Sequence, residues 1–433
     1  MSFLRAVCLA ADYDTPTPAP GDVVYVAMSS GVDSSYVAHL MASRHADVRG
    51  IYMVNWTPSL IAPGYGARPA ERAEQRAAGK QPDCVDSEWA TVQAVADQIG
   101  IPCERVNFER EYWLDVFEPM VDGFRAGETP NPDVGCNRTI KFGRLLDHLA
   151  ARHAADGRRW WLATGHYAGI SRHSSGHLHL LRPRDTKKDQ SFYLATVRPD
   201  AYGRMLLPLA ETTKNEVRAL AKAAGLVTAD KRDSQGLCFV GTFRPPAKDL
   251  PGVSRRSPAR AGRAFRDFLA EFIPDNPGNI VTADGRVVGR HRGLWHATIG
   301  QRSGVCMPQA DPATAGVWFV AAKDRVRNEV VIVRGSDNPA LFSAGARVRD
   351  FHWTVLPAER ESVLAGAVPL EIQVKSLEHD RAAAVDLTEA PAGLTMRFSR
   401  PLRAVAPGQN LVLYAGDRVL GAGVIDAAEP VDI

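Results

Sequence analysis

Cysteine is scarce in this chain: six in 433 residues, at positions 8, 84, 103, 136, 238 and 306, and none in a CxxC pair. A zinc ribbon therefore has no ligand framework. No secretory signal opens the sequence, so the thiols are expected to be reduced, with Cys8, Cys103 and Cys306 as small buried residues. There is no apolar run long enough to span a bilayer, and no membrane association is expected. Charge of one sign is missing too. Lys and Arg number 52 against 49 Asp and Glu, a net +3, so any contact with a nucleic acid has to come from local clustering of basic residues. Finally, no loop ends in Gly-Lys-Ser/Thr, which excludes the common nucleotide P-loop.

What is present is a globular composition, 45% hydrophobic and 23% charged, in a chain long enough for two or three domains. The stretch VVYVAMSSGVDSS, Val23 to Ser35, organises it. An apolar run, Val23 to Met28, reads as a buried strand. The turn Ser29-Ser30-Gly31 follows, then a helical run from Tyr36 to Arg44. Strand, small-residue turn and helix build an anion site. Glycine lets the backbone approach a ligand, and free N–H groups at the helix start face negative charge. A serine-rich turn capping an ordinary helix is the plain alternative. The loop resembles the SGGxDS loop of the PP-loop ATP pyrophosphatases, with Ser30 where that pattern has its first glycine.

Strand and helix patterns then alternate. Val48 to Val54 and Cys103 to Phe108 are strand-like, and Arg159 to Thr164 is a strand leading into Gly165-His166-Tyr167. Helices are expected from Ser87 to Ile99, Glu111 to Arg125, Ile140 to Ala155 and Lys214 to Gly225. This alternation predicts an α/β, doubly wound parallel sheet with ligands at the carboxyl ends of its strands. Pro58 to Pro82 reads as a surface insertion, solvated despite Arg68, Arg72 and Arg76. Ile170 to Leu181 reads as a hairpin. Thr242 to Gly262, proline-rich and basic, reads as a linker. A strand-turn-strand is expected around Asp284-Gly285. From Val317 strand follows strand, which predicts a small antiparallel β-barrel. The domains expected are an extension (1–21), a nucleotide-binding catalytic domain (22–241), a small central domain (242–312) and the barrel (313–433).

Two segments carry reactive side chains. In TPNPDVGCNRTIKF, Thr129 to Phe142, two prolines in four residues argue against a regular helix. We expect a stiff loop before a helix, presenting Asn131, Asp133, Cys136, Asn137 and Lys141. Cys136, near a helix start with Arg138 and Lys141 close in sequence, is expected to have thiolate character. Asp133 is near enough to move a proton. In KRDSQGLCFVG, Lys231 to Gly241, Cys238 follows a turn. Two thiols meeting near an ATP loop suggest sulfur chemistry: a persulfide on one cleaved by the other. A structural disulfide competes with that reading.

Taken together, AMSSGVDSS, GIYMVNW, VNFEREYWLDVFEP, TPNPDVGCN with IKFG, ATGHYA, KDQSFYL, DSQGLCFVG, TIGQR and PGQNLVLY make the chain similar to the tRNA-specific 2-thiouridylases. The GCNR variant, with Ser30, looks most like the mitochondrial branch. That resemblance implies a tRNA sulfurtransferase that adenylates O2 of the wobble uridine and replaces it by sulfur. It implies ATP with Mg²⁺ at Ala27, Met28, Ser29, Ser30, Gly31, Val32, Asp33 and Ser34, with Met53 and Gly165 at the adenosine. It implies Asn131, Pro132 and Asp133 at the target base, Cys136 as nucleophile, Cys238 as persulfide carrier, and Lys188, Asp189 and Gln190 on tRNA. The implied partners are the anticodon arm of tRNA and a persulfide donor protein of a cysteine desulfurase relay. The implied compartment is mitochondrial, with a cytoplasmic location as alternative, because the N-terminal stretch is a weak targeting signal.

In the barrel, Leu377-Glu378 stand where the family has an Arg-Tyr pair on tRNA. Three other readings stay open: a different adenylating PP-loop synthetase or amidotransferase, a non-catalytic tRNA-binding protein with a degenerate loop, and an iron–sulfur cluster on Asp133, Cys136 and Cys238.

Overall fold

The structure, a computed structural model, describes residues 13–57, 84–232, 265–305, 307–308, 314–376, 382–390 and 393–431. The expectations for Cys8, for the insertion at 58–82, for Cys238, for the linker at 242–262, for Cys306 and for Leu377-Glu378 fall outside these residues. Two compact units form. One is Met1–Val116, Asp133–Asp249 and Asp417–Val419; the other is Phe117–Pro132, Leu250–Gly416 and Leu420–Ile433.

The first unit is built on a five-stranded parallel sheet. Its strands are β1 (Val23–Met28), β2 (Val48–Val54), β3 (Cys103–Asn107), β4 (Trp160–Ala163) and β5 (Met205–Leu206). In space they run β3-β2-β1-β4-β5. All six residues of β1 are buried. A parallel strand covered on both faces has to be apolar throughout, which is why VVYVAM does not alternate. Helices α1 (Val32–Ala42) and α2 (Cys84–Ile99) pack on the sheet, where Val24, Val26, Val37, Val92 and Trp161 share one core. Helix α3 (Lys214–Ala223) starts in a capping box between Thr213 and Glu216. The chain order reverses between β1 and β4, the topological point at which sheets of this kind bind ligands beyond their strand ends. Gly169–His173 and Leu178–Leu181 form the expected hairpin.

The segment Thr129 to Phe142 departs from expectation. The helix begins at Pro132, as Pro132–Gly135, and continues through an over-wide segment, Cys136–Arg144, into Leu145–Arg152. Pro132 stands at the first helical position, where its missing N–H costs nothing and its fixed φ suits the helix. Asp133 and Cys136 therefore lie on a helix, not in a loop ahead of one. Glu111 to Arg125 is likewise helical but interrupted: Glu109–Tyr112, a wide turn at Trp113–Phe117, then Glu118–Arg125.

The second unit holds two sheets. β6 (Gly278–Thr282), β7 (Val287–His291), β8 (Trp318–Asp324) and β9 (Glu329–Arg334) make a four-stranded sheet in the order β7-β6-β9-β8. β9 runs parallel to β6. The strands at 318–334, expected in the barrel, thus belong with the hairpin around Asp284-Gly285. Alternation identifies a strand but does not choose its partner.

The barrel itself is β10 (Phe342–Trp353), β11 (Glu371–Gln373), β12 (Ala382–Ala390), β13 (Gly393–Arg403), β14 (Asn410–Ala415) and β15 (Arg418–Pro430). The order β15-β10-β13-β12-β11-β14 closes through pairing of β14 with β15. Val348, Ile372, Met396, Leu411, Leu413 and Ile425 fill it. No helix among the described residues is long and apolar enough to cross a membrane.

Candidate active site

The loop after β1 is closed on itself by Ser34. The Ser34 hydroxyl accepts from the Ser29 amide at 3.0 Å and lies 3.0 Å from the Ser29 carbonyl and 3.2 Å from that of Gly31. Ser35 donates to the Gly31 carbonyl at 2.9 Å. Gly31 caps α1 with an extended backbone and no side-chain cap, and its amide donates to Ser29 Oγ at 3.3 Å. Ser30 is not among the residues with positive φ, and it is buried. The position therefore does not demand glycine, and the departure from the SGGxDS pattern is no sign of a degenerate loop.

Asp33 points the other way. Its carboxylate accepts from Lys214 Nζ at 2.6 and 2.7 Å and from the Tyr167 hydroxyl at 2.8 Å. Lys214 opens α3, and its side chain is 10% exposed. Sequence reasoning saw Lys214 only as a helix start, and nothing in its local pattern announces a partner 181 residues away. The ion pair and the tyrosine brace the loop from beneath.

The loop after β4 meets the loop after β1. Gly165 leaves no room for a side chain: a Cβ there would lie 2.9 Å from the Ser34 amide and 3.0 Å from Asp33 Cβ. Next to it, His166 is buried between Thr164 and Lys141. Thr164 Oγ1 is 2.8 Å from Nδ1, and Lys141 Nζ is 3.4 Å from Nε2. Burial drives the His166 pKa well down and the Lys141 charge adds to it, so the imidazole is neutral and can accept from the ammonium. Phe142 packs on the same ring at 5.7 Å. Lys141 and Phe142 belong to the helical segment that carries Cys136. That helix is therefore fastened to the loop after β4 through His166.

On the helix, Cys136 is half-buried and Asn137 is buried, its amide nitrogen donating to the Asp133 carbonyl at 3.0 Å. Water reaches Asp133, yet desolvation by the crowded surroundings raises its pKa, and Lys141 opposes the rise. Met53 is half-buried at the carboxyl end of β2, the end at which ligands bind in such sheets. Asn131 and Pro132 immediately precede Asp133 and belong to the second unit.

The three residues expected on tRNA divide. Asp189 is 3% exposed; it pairs with Arg182 at 2.5 Å and accepts from the Ser191 amide and hydroxyl at 2.9 and 2.6 Å. Its carboxylate shapes the turn from inside and is not displayed. Gln190 accepts from the Tyr167 amide at 2.8 Å and so steadies the turn after Gly165. Lys188 is half-buried.

Among the described residues no group of three or more His, Cys, Asp or Glu stands together as a metal cage. A Mg²⁺ ion brought in with ATP would need no such cage, since phosphate oxygens and water would supply its ligands. The third ligand of the cluster expected on Asp133, Cys136 and Cys238 lies outside the described residues.

Three family models cover the chain: a tRNA methyl transferase HUP domain at 22–242, a tRNA methyl transferase PRC-barrel domain at 266–334, and an aminomethyltransferase beta-barrel domain at 343–425. The chain is 41% identical to the mitochondrial tRNA-specific 2-thiouridylase 1 of Saccharomyces cerevisiae, over 94% of its own length and 92% of the relative's. It is 36% identical to the protein of the same name from Schizosaccharomyces pombe, over 95% and 92%. With the tRNA-specific 2-thiouridylase of Pseudomonas putida it shares 38%, over 94% and 95%. The chain belongs to the tRNA-specific 2-thiouridylase family. The HUP-domain match spans the parallel sheet and the loops that follow β1 and β4.

Proposed function

We propose that the chain is an ATP-dependent tRNA 2-thiouridylase acting on the wobble uridine. The observation that carries this is the fastening of the Cys136 helix to the ATP loop: Lys141 to His166, and Gly165 against Ser34. One fold element thereby serves activation and another sulfur transfer, within a single unit.

ATP enters with Mg²⁺, its phosphates on Ala27 to Ser34 and its adenosine toward Met53 and Gly165. O2 of the uridine attacks the α-phosphorus, and pyrophosphate leaves. The amides at the start of α1 hold the charge on the phosphates without having to reorganise. The target base has to leave its stack, which costs a few kcal/mol. Asn131, Pro132 and Asp133 receive it, and Lys188 and Gln190 lie along the tRNA.

Sulfur arrives as a Cys238 persulfide from a donor protein of a cysteine desulfurase relay. The Cys136 thiolate attacks the inner sulfur; a disulfide forms and hydrosulfide leaves. Hydrosulfide adds at C2, AMP departs, and 2-thiouridine remains. A two-electron thiol reductant then regenerates both cysteines. Asp133, with its raised pKa, moves the proton. The mitochondrial names of the two yeast relatives favour a mitochondrial location, whereas the similarity to the bacterial protein keeps a cytoplasmic one open.

The test is thiolation of an unmodified transcript carrying a wobble uridine, with Mg-ATP and a persulfide donor, read as retardation on a mercury-affinity gel. Wild type gives a retarded band that requires ATP, and Cys136→Ser and Cys238→Ser do not. Binding of the transcript without ATP-dependent AMP release would replace the proposal with a binding protein. Thiolation that survives both substitutions would remove the cysteines from the mechanism.

A further inference from the structure

The motif PGQN, at Pro407 to Asn410, takes no part in the chemistry above. In the second unit it lies against Glu128 and Thr129, the two residues just ahead of Pro130, Asn131 and Pro132. The Thr129 amide donates to the Pro407 carbonyl at 2.9 Å, and Gln409 Nε2 donates to the Thr129 carbonyl. Gly408 has φ +89, and a Cβ on it would meet the Thr129 amide at 2.7 Å and Glu128 Cβ at 2.8 Å. Backbone cannot yield there, so only glycine permits the contact.

Glu128 is gripped by its side chain. Arg349, from barrel strand β10, donates to both carboxylate oxygens, at 3.2 and 2.9 Å, and Arg325 stands 3.5 Å away. The Glu128 side chain is 14% exposed. A two-pronged arginine–carboxylate pair fixes direction as well as distance. Gly127 is held in turn: Lys323, from β8, donates to its carbonyl at 3.0 Å. Three consecutive residues are thus fixed by both sheets of the unit, and the residues expected at the target base begin two positions later.

We infer that Glu128 and Arg349 are positioning residues: the barrel latches the stem of the substrate segment, so that Asn131 and Pro132 meet the uridine in one place. The inference rests on the proposed thiouridylase reading. Neither residue touches the reacting atoms. A displacement of about 1 Å at a substrate-positioning element can cost on the order of a hundredfold in rate, so a loosened latch should lower turnover on tRNA while leaving ATP binding alone.

The experiment compares wild type, Glu128→Gln, Arg349→Met and Arg349→Lys. Read out are kcat and KM for tRNA thiolation, ATP affinity, melting temperature and hydrogen exchange of the Thr129 amide. Glu128→Gln and Arg349→Met should lose on the order of ten- to a hundredfold in kcat, with ATP affinity and fold retained and the Thr129 amide exchanging faster. Arg349→Lys, which keeps the charge but not the fork, should fall between. Arg360→Met removes another cation of the same unit, one that pairs with Glu389 and not with the latch, and should leave turnover unchanged.

If wild type thiolates and both latch variants stay within about twofold of it, a shift too small to count as a lost interaction, the inference is overturned and the function stands. If wild type does not thiolate, the function fails, and Thr129 exchange alone decides whether the latch exists. Unchanged protection in folded Arg349→Lys and Glu128→Gln would reject it.

Discussion

Gly165 and Ser34 approach so closely that a single methyl group on the glycine would press on the serine amide at 2.9 Å. The contact joins the loops leaving β1 and β4 across the point where the sheet order reverses. Gly165→Ala should push the ATP loop aside while the core persists. We expect ATP affinity to fall about tenfold, a loss of about 1.4 kcal/mol, with unchanged far-ultraviolet circular dichroism. Calorimetric titration with ATP checks this, and wild-type affinity in the variant would show that the loop tolerates the methyl.

The pair between Asp33 and Lys214 should prove structural before it is catalytic. Lys214→Met leaves the carboxylate of Asp33, a side chain 29% exposed, with Tyr167 as its remaining protein partner. Removing one partner of such a largely buried pair costs about 3 kcal/mol. Urea denaturation should show that loss. Tyr167→Phe, removing one hydrogen bond to the same carboxylate, should cost about 1 kcal/mol. Equal stability of Lys214→Met and wild type would mean that the pair contributes nothing net.

Because desolvation raises the Asp133 pKa, its titration should appear in the rate above the usual carboxylate range. The pH profile of kcat/KM for thiolation reads it. A fall in rate toward acid pH assigns Asp133 the role of base, and a rise assigns it that of acid. Asp133→Asn should erase the limb; a profile identical to wild type would remove Asp133 from proton transfer.

Lys323 gives stability its own pH dependence. Burial pushes its pKa down to about 7, with Arg325 adding and Glu128 opposing. Below pH 7 the folded and unfolded states both carry the proton. Between pH 7 and the ordinary lysine value the unfolded chain holds more protons than the folded one. Stability therefore rises with pH across that window as the cost of the buried charge is relieved. Lys323→Met should flatten the rise, as measured by denaturant midpoints at pH 6 and pH 9.

The Cys103 thiol is pushed up to about 11, first by burial and then by Glu104. At pH 8 its thiolate fraction is on the order of one in a thousand. Iodoacetamide at that pH should leave Cys103 unmodified in peptide mapping of the folded protein. Rapid labelling would contradict its reading as an inert packing residue.

Much of this was legible beforehand, and the reasons are local. Val23–Met28 and Val48–Val54 fall where the apolar runs place them, because buried parallel strands have no alternation to obscure their ends. The parallel sheet followed from the alternation of strand and helix. Other features depend on distant partners. Phe342–Trp353, the longest strand on which the barrel closes after β15, and the helix Pro357–Leu364 carry mixed patterns that only the barrel core makes sense of. Pro132 was read as a helix breaker, although at the first position it starts one. Asp189 was legible as a residue of interest, but its inward ion pair with Arg182 was not.

The over-wide segment Cys136–Arg144 sets a rule about length. Phe142 departs from helical geometry within it, at φ −111° and ψ 15°. Phe142 thus forms a kink between two helical stretches. Each residue turns a helix by about 100°. Deleting one residue between Cys136 and Lys141 would shift the two by one helical step. The same deletion would swing Cys136 about a quarter-turn away from the face on which Lys141 grips His166. The stretch can therefore exchange many of its letters, but it cannot change their number.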